Sequence, residues 1–206
     1  MSSLDAVLFD LDGVLVRSEE VWFHTVEEAG RVFRGRKVTR EEFAPTFGQG
    51  TRADVEHFQL GCTPDELNRF YLEVFPRFAS ETWVNPEAGP VLDQLRALGL
   101  KRAVVTNTVS PLAFSVLRSA GLFDLLDWVA CADHVLHAKP APDLVLHAVQ
   151  KLAVEPRRAW MVGDSRFDRE AARAAGVRFV GFGIDGESRI ERLDELIALV
   201  EEGAGL

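Results

Sequence analysis

Cysteine is nearly absent from this 206-residue chain: Cys62 and Cys131 are the only two, far apart and without metal-type spacing. That excludes a disulfide framework or a cysteine-based zinc module and predicts two buried free thiols. Long apolar runs are missing as well, since nothing in the sequence approaches the roughly 18 to 20 residues of a membrane span. Residues 1–5 have neither the basic nor the apolar stretch of a secretory signal, so the expected location is the cytoplasm, with no membrane partner. Positive charge is scarce, with 23 Lys and Arg against 32 Asp and Glu and a formal charge of -9, which argues against a nucleic-acid partner. An anionic ligand must then be attracted locally, by a metal and a few basic groups. Repeats and low-complexity segments are also missing.

What is present is apolar residue at 47%, in a chain long enough for one core plus a small second lobe. The most informative stretch is Phe9-Asp10-Leu11-Asp12-Gly13-Val14-Leu15-Val16. Two carboxylates two positions apart end the apolar run Ala6-Val7-Leu8-Phe9, which reads as a buried strand. In extended geometry Asp10 and Asp12 share a face, and Gly13 lets the backbone turn and approach a ligand closely. One carboxylate suits a hard divalent metal and attack on phosphorus; the other suits transfer of the leaving-group proton. A solvated strand exit is the plain alternative.

From Asn85 onward short β-rich runs alternate with amphipathic helical stretches, the pattern of a parallel sheet wrapped by helices. Strands are predicted at residues 102–106, 127–131, 159–163 and 178–182; with the first, that makes a Rossmann-like, five-stranded parallel α/β sheet. Residues 17–83 instead show helical periodicity: Val21, Phe23, Val26 and Ala29, then Val55, Phe58 and Leu60, then Leu67, Phe70, Tyr71, Val74 and Phe75. Thr63-Pro64-Asp65-Glu66 is a helix start, with a capping threonine, a first-turn proline and a glutamate three residues after the cap. A helical insert after the first strand projects over the carboxyl edge of the sheet. The expected division is a core of residues 1–16 and 85–206 and a small α-helical cap of residues 17–84.

Three more motifs fall at strand ends. Thr106-Asn107 offers a hydroxyl and an amide to a phosphate oxygen, although such a pair is also an ordinary turn. Lys139-Pro140-Ala141-Pro142-Asp143 sets one of only four lysines in a loop stiffened by prolines, where an ammonium can neutralise phosphate and keep a nucleophilic carboxylate ionised. Gly163-Asp164-Ser165-Arg166-Phe167-Asp168 repeats the first motif's logic, an apolar strand, a glycine and two carboxylates, here four apart at a helix start. Open α/β sheets build their sites at this edge.

These motifs, in this order, resemble the haloacid dehalogenase superfamily of Mg2+-dependent phosphotransferases, over essentially the whole length. The resemblance implies Asp10 as a nucleophile forming an aspartyl-phosphate and Asp12 as the general acid and base that also offers its backbone carbonyl to Mg2+. It implies Thr106, Asn107 and Lys139 as phosphate-binding groups, and Asp10, Asp12, Asp164 and Asp168 as the metal site. The insert resembles the mobile cap of the phosphoglycolate phosphatase and β-phosphoglucomutase relatives. Family dehalogenases and phosphonate-cleaving members lack the second aspartate, so Asp12 points to phosphate esters. Mutases of the group carry a histidine where this chain has Trp22. The reading is a phosphatase of a small phosphorylated metabolite, a monomer or small homo-oligomer. The alternatives are a β-phosphoglucomutase-like mutase and a non-catalytic phosphate-binding module.

Arg17 stands where relatives place an aspartate at the hinge, and is expected either to read a second anionic group on the substrate or simply to face solvent. Gly48-Gln49-Gly50-Thr51-Arg52 resembles the family's specificity loop, with Gln49 and Arg52 as readers. His134 and His137 lack a matching third ligand for zinc.

Overall fold

The computed structural model describes residues 4–204; residues 1–3 and 205–206, counted above with the core, and the first three also with the absence of a signal, lie outside them. In chain order the elements are β1 (Ala6–Phe9), β2 (Val16–Arg17), α1 (Glu19–Arg34), α2 (Arg40–Phe43), α3 (Thr51–His57), α4 (Pro64–Val74), β3 (Trp83–Val84) and α5 (Ala88–Ala97). There follow β4 (Lys101–Thr106), α6 (Ser110–Ser119), β5 (Trp128–Cys131), α7 (Asp143–Lys151), β6 (Ala159–Gly163), α8 (Arg166–Ala174), β7 (Arg178–Phe182), β8 (Ser188–Ile190) and α9 (Glu195–Ala204).

The fold is a parallel α/β sheet with helices on both faces, in the order β5-β4-β1-β6-β7-β8. All four residues of β1 are buried because it is central, paired in parallel with β4 and β6. Alternation along it feeds two apolar layers: Val7 and Phe9 pack with Leu92, Leu95 and Leu117, while Ala6 and Leu8 pack with Leu144, Val145 and Ala148. The sequence predicts five strands, and the sheet has six. β8 is three residues with one buried, Ile190, too short and polar to carry a strand pattern. Leu92 and Leu95 of α5 are buried, whereas Leu98, which continues their spacing, follows the end of the helix and is 38% exposed.

Between β2 and β3 the chain is helical, and Val21, Phe23, Val26 and Ala29 of α1 are buried as their spacing predicts. The start of α4 is capped in both directions: Thr63 Oγ1 accepts from the Glu66 amide at 3.3 Å, and Glu66 Oε2 accepts from the Thr63 amide at 2.8 Å. The two passages into and out of this helical segment pair as an antiparallel ribbon, Val16 with Val84 and Arg17 with Trp83. Asn85 fixes its base, donating from Nδ2 to the Val14 carbonyl and from its amide to the Leu15 carbonyl, both at 3.0 Å. No helix among the described residues is long and apolar enough to cross a membrane.

Candidate active site

β1, β4 and β6 are neighbours that end at the same edge, so Asp10, Thr106 and Asp164 arrive there together. The Asp10 amide still bonds the Val162 carbonyl at 2.9 Å, which fixes where its side chain leaves the sheet. Asp10 Oδ1 accepts from the Leu11 amide and from Lys139 Nζ, each at 2.8 Å. Lys139 Nζ donates also to Asp168 Oδ1 at 2.6 Å and to the Val105 carbonyl at 2.9 Å, so its three donors are all used. Burial alone would lower the Lys139 ammonium, but the adjoining Asp10 and Asp168 more than reverse that and hold it above its ordinary value. It is a fixed cation.

The acids outnumber it. Oxygens of Asp10, Asp164 and Asp168 lie within 4.8 Å of one another. Burial, then the Asp168 charge, raises Asp10 well above the ordinary carboxylate range against the pull of Lys139. Asp164 is pushed up to about 7 by burial and then by the same Asp168 charge. Three crowded carboxylates against one ammonium leave an excess of negative charge and hard oxygen donors, which fits a divalent cation such as Mg2+. Within that cluster Asp168 has both oxygens engaged, Oδ1 by Lys139 and Oδ2 by the amide and hydroxyl of Ser165 at the start of α8. It positions Lys139 and caps the helix.

Two glycines make room. Gly13 has φ +91°, and a Cβ there would fall 1.8 Å from Asp164 Oδ2, so the first motif and the carboxylate that follows β6 share one space only because position 13 has no side chain. A Cβ on Gly163 would fall 2.4 Å from the Asp168 Cβ. Asp12 points elsewhere: it is held by the Ser18 hydroxyl and, at 3.4 Å, by Thr108 Oγ1. Burial raises its carboxyl, opposed by the Ser18 bond, the Lys139 charge and Thr108.

The remaining motif residues have these surroundings. Thr106 is buried, and its Oγ1 accepts from the Thr108 amide at 3.1 Å. Asn107 clamps three segments: Nδ2 donates to the Gly48 and Lys139 carbonyls at 2.9 and 3.0 Å, and Oδ1 accepts from the Lys139 amide at 2.9 Å. That spends both amide donors on backbone, and ties the loop at Gly48 to the lysine loop.

Beside Asp12 a cavity of about 50 Å3 opens between the helical segment and the sheet edge, walled by Trp22, Phe43, Phe47 and Tyr71 and reaching Asp54. Arg17, Gln49 and Arg52 do not line it. Arg17 is exposed, with its guanidinium carbon 4.6 Å from the centre of the Trp83 ring. It borders a separate recess with Gly13 and Asp164, while Gln49 and Arg52 border a groove toward Lys139. His134 and His137 also part: His134 Nε2 meets Ser110 Oγ at 2.8 Å and its Nδ1 faces the Cys131 amide, whereas His137 faces Asp143. Cys131, Asp133 and His134 do cluster within 4.8 Å, but Ser110 and backbone already bond the Asp133 and His134 donors.

The model of the haloacid dehalogenase-like hydrolase family matches residues 4–176. The chain belongs to that family. Among its relatives, phosphoglycolate phosphatase of Aquifex aeolicus is 30% identical over 177 residues, covering 84% of this chain and 81% of that one. Fructose-1-phosphate phosphatase YqaB of Escherichia coli is 29% identical over 177 residues, covering 83% and 92%. Among solved structures, a variant of CbbY from Rhodobacter sphaeroides in complex with xylulose-1,5-bisphosphate superposes with a TM-score of 0.84 at 24% identity, covering 94% of this chain and 96% of that one, which speaks for the fold. The chain is thus an enzyme, a phosphatase of the haloacid dehalogenase-like family.

Sequence reasoning missed Ser18 and Thr108 on Asp12, and Asp54 with Tyr71. Ser18 directly precedes α1, a position that reads as a plain helix start. Asp54 lies two residues beyond the glycine-rich stretch on which the loop reading stopped. Tyr71, the only tyrosine, falls in the apolar period of a helix, where nothing local signals a partner for its hydroxyl.

Proposed function

We propose that this phosphatase is a Mg2+-dependent phosphomonoesterase acting through a covalent aspartyl-phosphate on a small phosphorylated metabolite. The helical segment of residues 17–84 serves as a cap over a core of residues 1–16 and 85–206, hinged on the β2–β3 ribbon, and the enzyme works in the cytoplasm. One observation carries the reading: Asp10, Lys139, Asp164 and Asp168 converge at the carboxyl ends of parallel strands, with Asp12 beside them facing the cavity.

A Mg2+ ion held by Asp10, Asp164 and the Asp12 carbonyl would set positive charge against the phosphoryl oxygens and offset the crowding of carboxylates. Lys139 pulls Asp10 toward its ionised form and orients it, and Asp168 keeps Lys139 in place. The free Asp10 oxygen attacks phosphorus as the ester P–O bond breaks, and Asp12 gives its proton to the departing oxygen. Asp12, now a carboxylate, takes a proton from the water that attacks the aspartyl-phosphate; phosphate leaves and Asp10 is restored. Ser18 and Thr108 hold Asp12 on the leaving-group side. Trp22, packed against Tyr71 and Phe75 at the cavity wall, supports hydrolysis over mutase chemistry, because it offers no proton to a second hydroxyl. The test is phosphate release from p-nitrophenyl phosphate: activity is expected to vanish with EDTA and return with Mg2+, and full activity in the chelated enzyme overturns the reading.

A further inference from the structure

The cavity beside Asp12 has an unusual charge balance. Its lining contains no lysine, arginine or histidine, and its charged groups are two carboxylates, Asp12 at the mouth and Asp54 in the helical wall. Asp54 Oδ2 accepts the Tyr71 hydroxyl at 2.9 Å, and no cation acts on it. Burial pushes its carboxyl up to about 7, with only the tyrosine bond pulling the other way. The rest of the lining is uncharged: apolar and aromatic side chains from Trp22, Phe43, Phe47 and Tyr71 to Leu112, with Thr46, Thr51, Asn107 and Thr108 as its neutral polar groups. A half-buried carboxylate among aromatic rings with no counter-charge favours a cationic partner, and the ligand is the natural source of that cation.

We propose, on the basis of the phosphatase reading above, that this cavity receives the leaving group of the substrate and that Asp54 within its aromatic walls selects phosphate esters of short amino alcohols. A primary ammonium brings the opposite charge and three donors to Asp54, and aromatic faces attract it further. At about 50 Å3 the cavity has room for a two-carbon amine. An ester of a hydroxy acid would bring a second carboxylate beside Asp54, and an alkyl ester would leave Asp54 with the tyrosine alone. Arg17 and Arg52 lie outside this lining and offer no compensation.

Three esters of similar size separate the cases: O-phosphorylethanolamine, n-propyl phosphate and phosphoglycolate, assayed by phosphate release with Mg2+, with p-nitrophenyl phosphate in parallel. The expected order of kcat/KM is ammonium, neutral, anionic, with at least about a tenfold gap between the first two. In Asp54→Asn that ratio is expected to fall toward one, carried mainly by a higher KM for the ammonium ester. Equal or better turnover of n-propyl phosphate or phosphoglycolate by the natural enzyme overturns the assignment, as does an unchanged ratio in a folded Asp54→Asn. The natural enzyme's ranking decides the matter even if the variant fails to fold. Loss of p-nitrophenyl phosphate turnover would sink the phosphatase reading itself; its retention without ammonium preference sinks only this inference.

Discussion

Asp10 is a buried carboxylate at the sheet edge and Asp54 a half-buried one in the helical segment, and their electrostatic partners differ. Asp10 has an internal counter-charge, Lys139, fixed by three hydrogen bonds to Asp10, Asp168 and the Val105 carbonyl. Asp54 has a hydroxyl and no cation. The difference separates the invariant end of a substrate from the variable one. Every phosphate ester presents the same charge to the core, so the protein builds the complementary charges permanently into a close-packed sheet edge. The leaving group differs from ester to ester, and the helical wall leaves one charge open for it to satisfy.

The contrast can be broken at its strong end first. Asp10→Asn removes the nucleophile and a metal donor while keeping the shape, so phosphate release is expected to fall by at least about a thousandfold with the circular dichroism spectrum intact. Activity within tenfold of the natural enzyme would mean that Asp10 is an ordinary buried acid like Asp54. Gly13→Ala comes next, because the added Cβ must displace the Asp164 carboxylate from a position 1.8 Å away. The Mg2+ concentration for half-maximal rate is expected to rise by about tenfold to a hundredfold, read from a metal titration of activity. An unchanged titration would show that Asp164 has no part in metal binding.

The smallest effect is expected at Arg17, which is exposed and rests on Trp83. Arg17→Ala should change kcat/KM for phosphorylethanolamine and for phosphoglycolate alike by no more than about twofold, since surface changes of this kind cost little. A tenfold loss confined to phosphoglycolate would restore the reading of Arg17 as an anion receptor. It would also dissolve the contrast, because the substrate's second group would then meet a cation and not Asp54.

How far the sequence reached depended on how local the signal was. The strands at 159–163 and 178–182 stand at the residues their apolar runs predict, because a central parallel strand is buried on both faces and its composition says so. β8 escaped because three residues at a sheet edge carry no period. Asp10, Lys139 and Asp164 were each legible as polar residues set against apolar or stiffened stretches, and the structure brings them together as that pattern suggested. Asn107 was legible as a polar turn residue, but its clamp on the loops of Gly48 and Lys139 was not, since those partners are 59 and 32 residues away.

The sequence by itself determined the layered α/β architecture, the helical character of the segment after β1 and the chemistry gathered at one edge of the sheet. Periodicity, glycine positions and the few charges inside apolar runs are written along the chain, and local physics reads them. Only the tertiary structure decided which charges meet. It set Lys139 between Asp10 and Asp168, turned Asp12 toward Ser18, and kept Arg17 out of the cavity that Asp54 and Tyr71 line together. Electrostatic partners are chosen by distance in space and by access to water, and neither quantity is a function of position along a sequence.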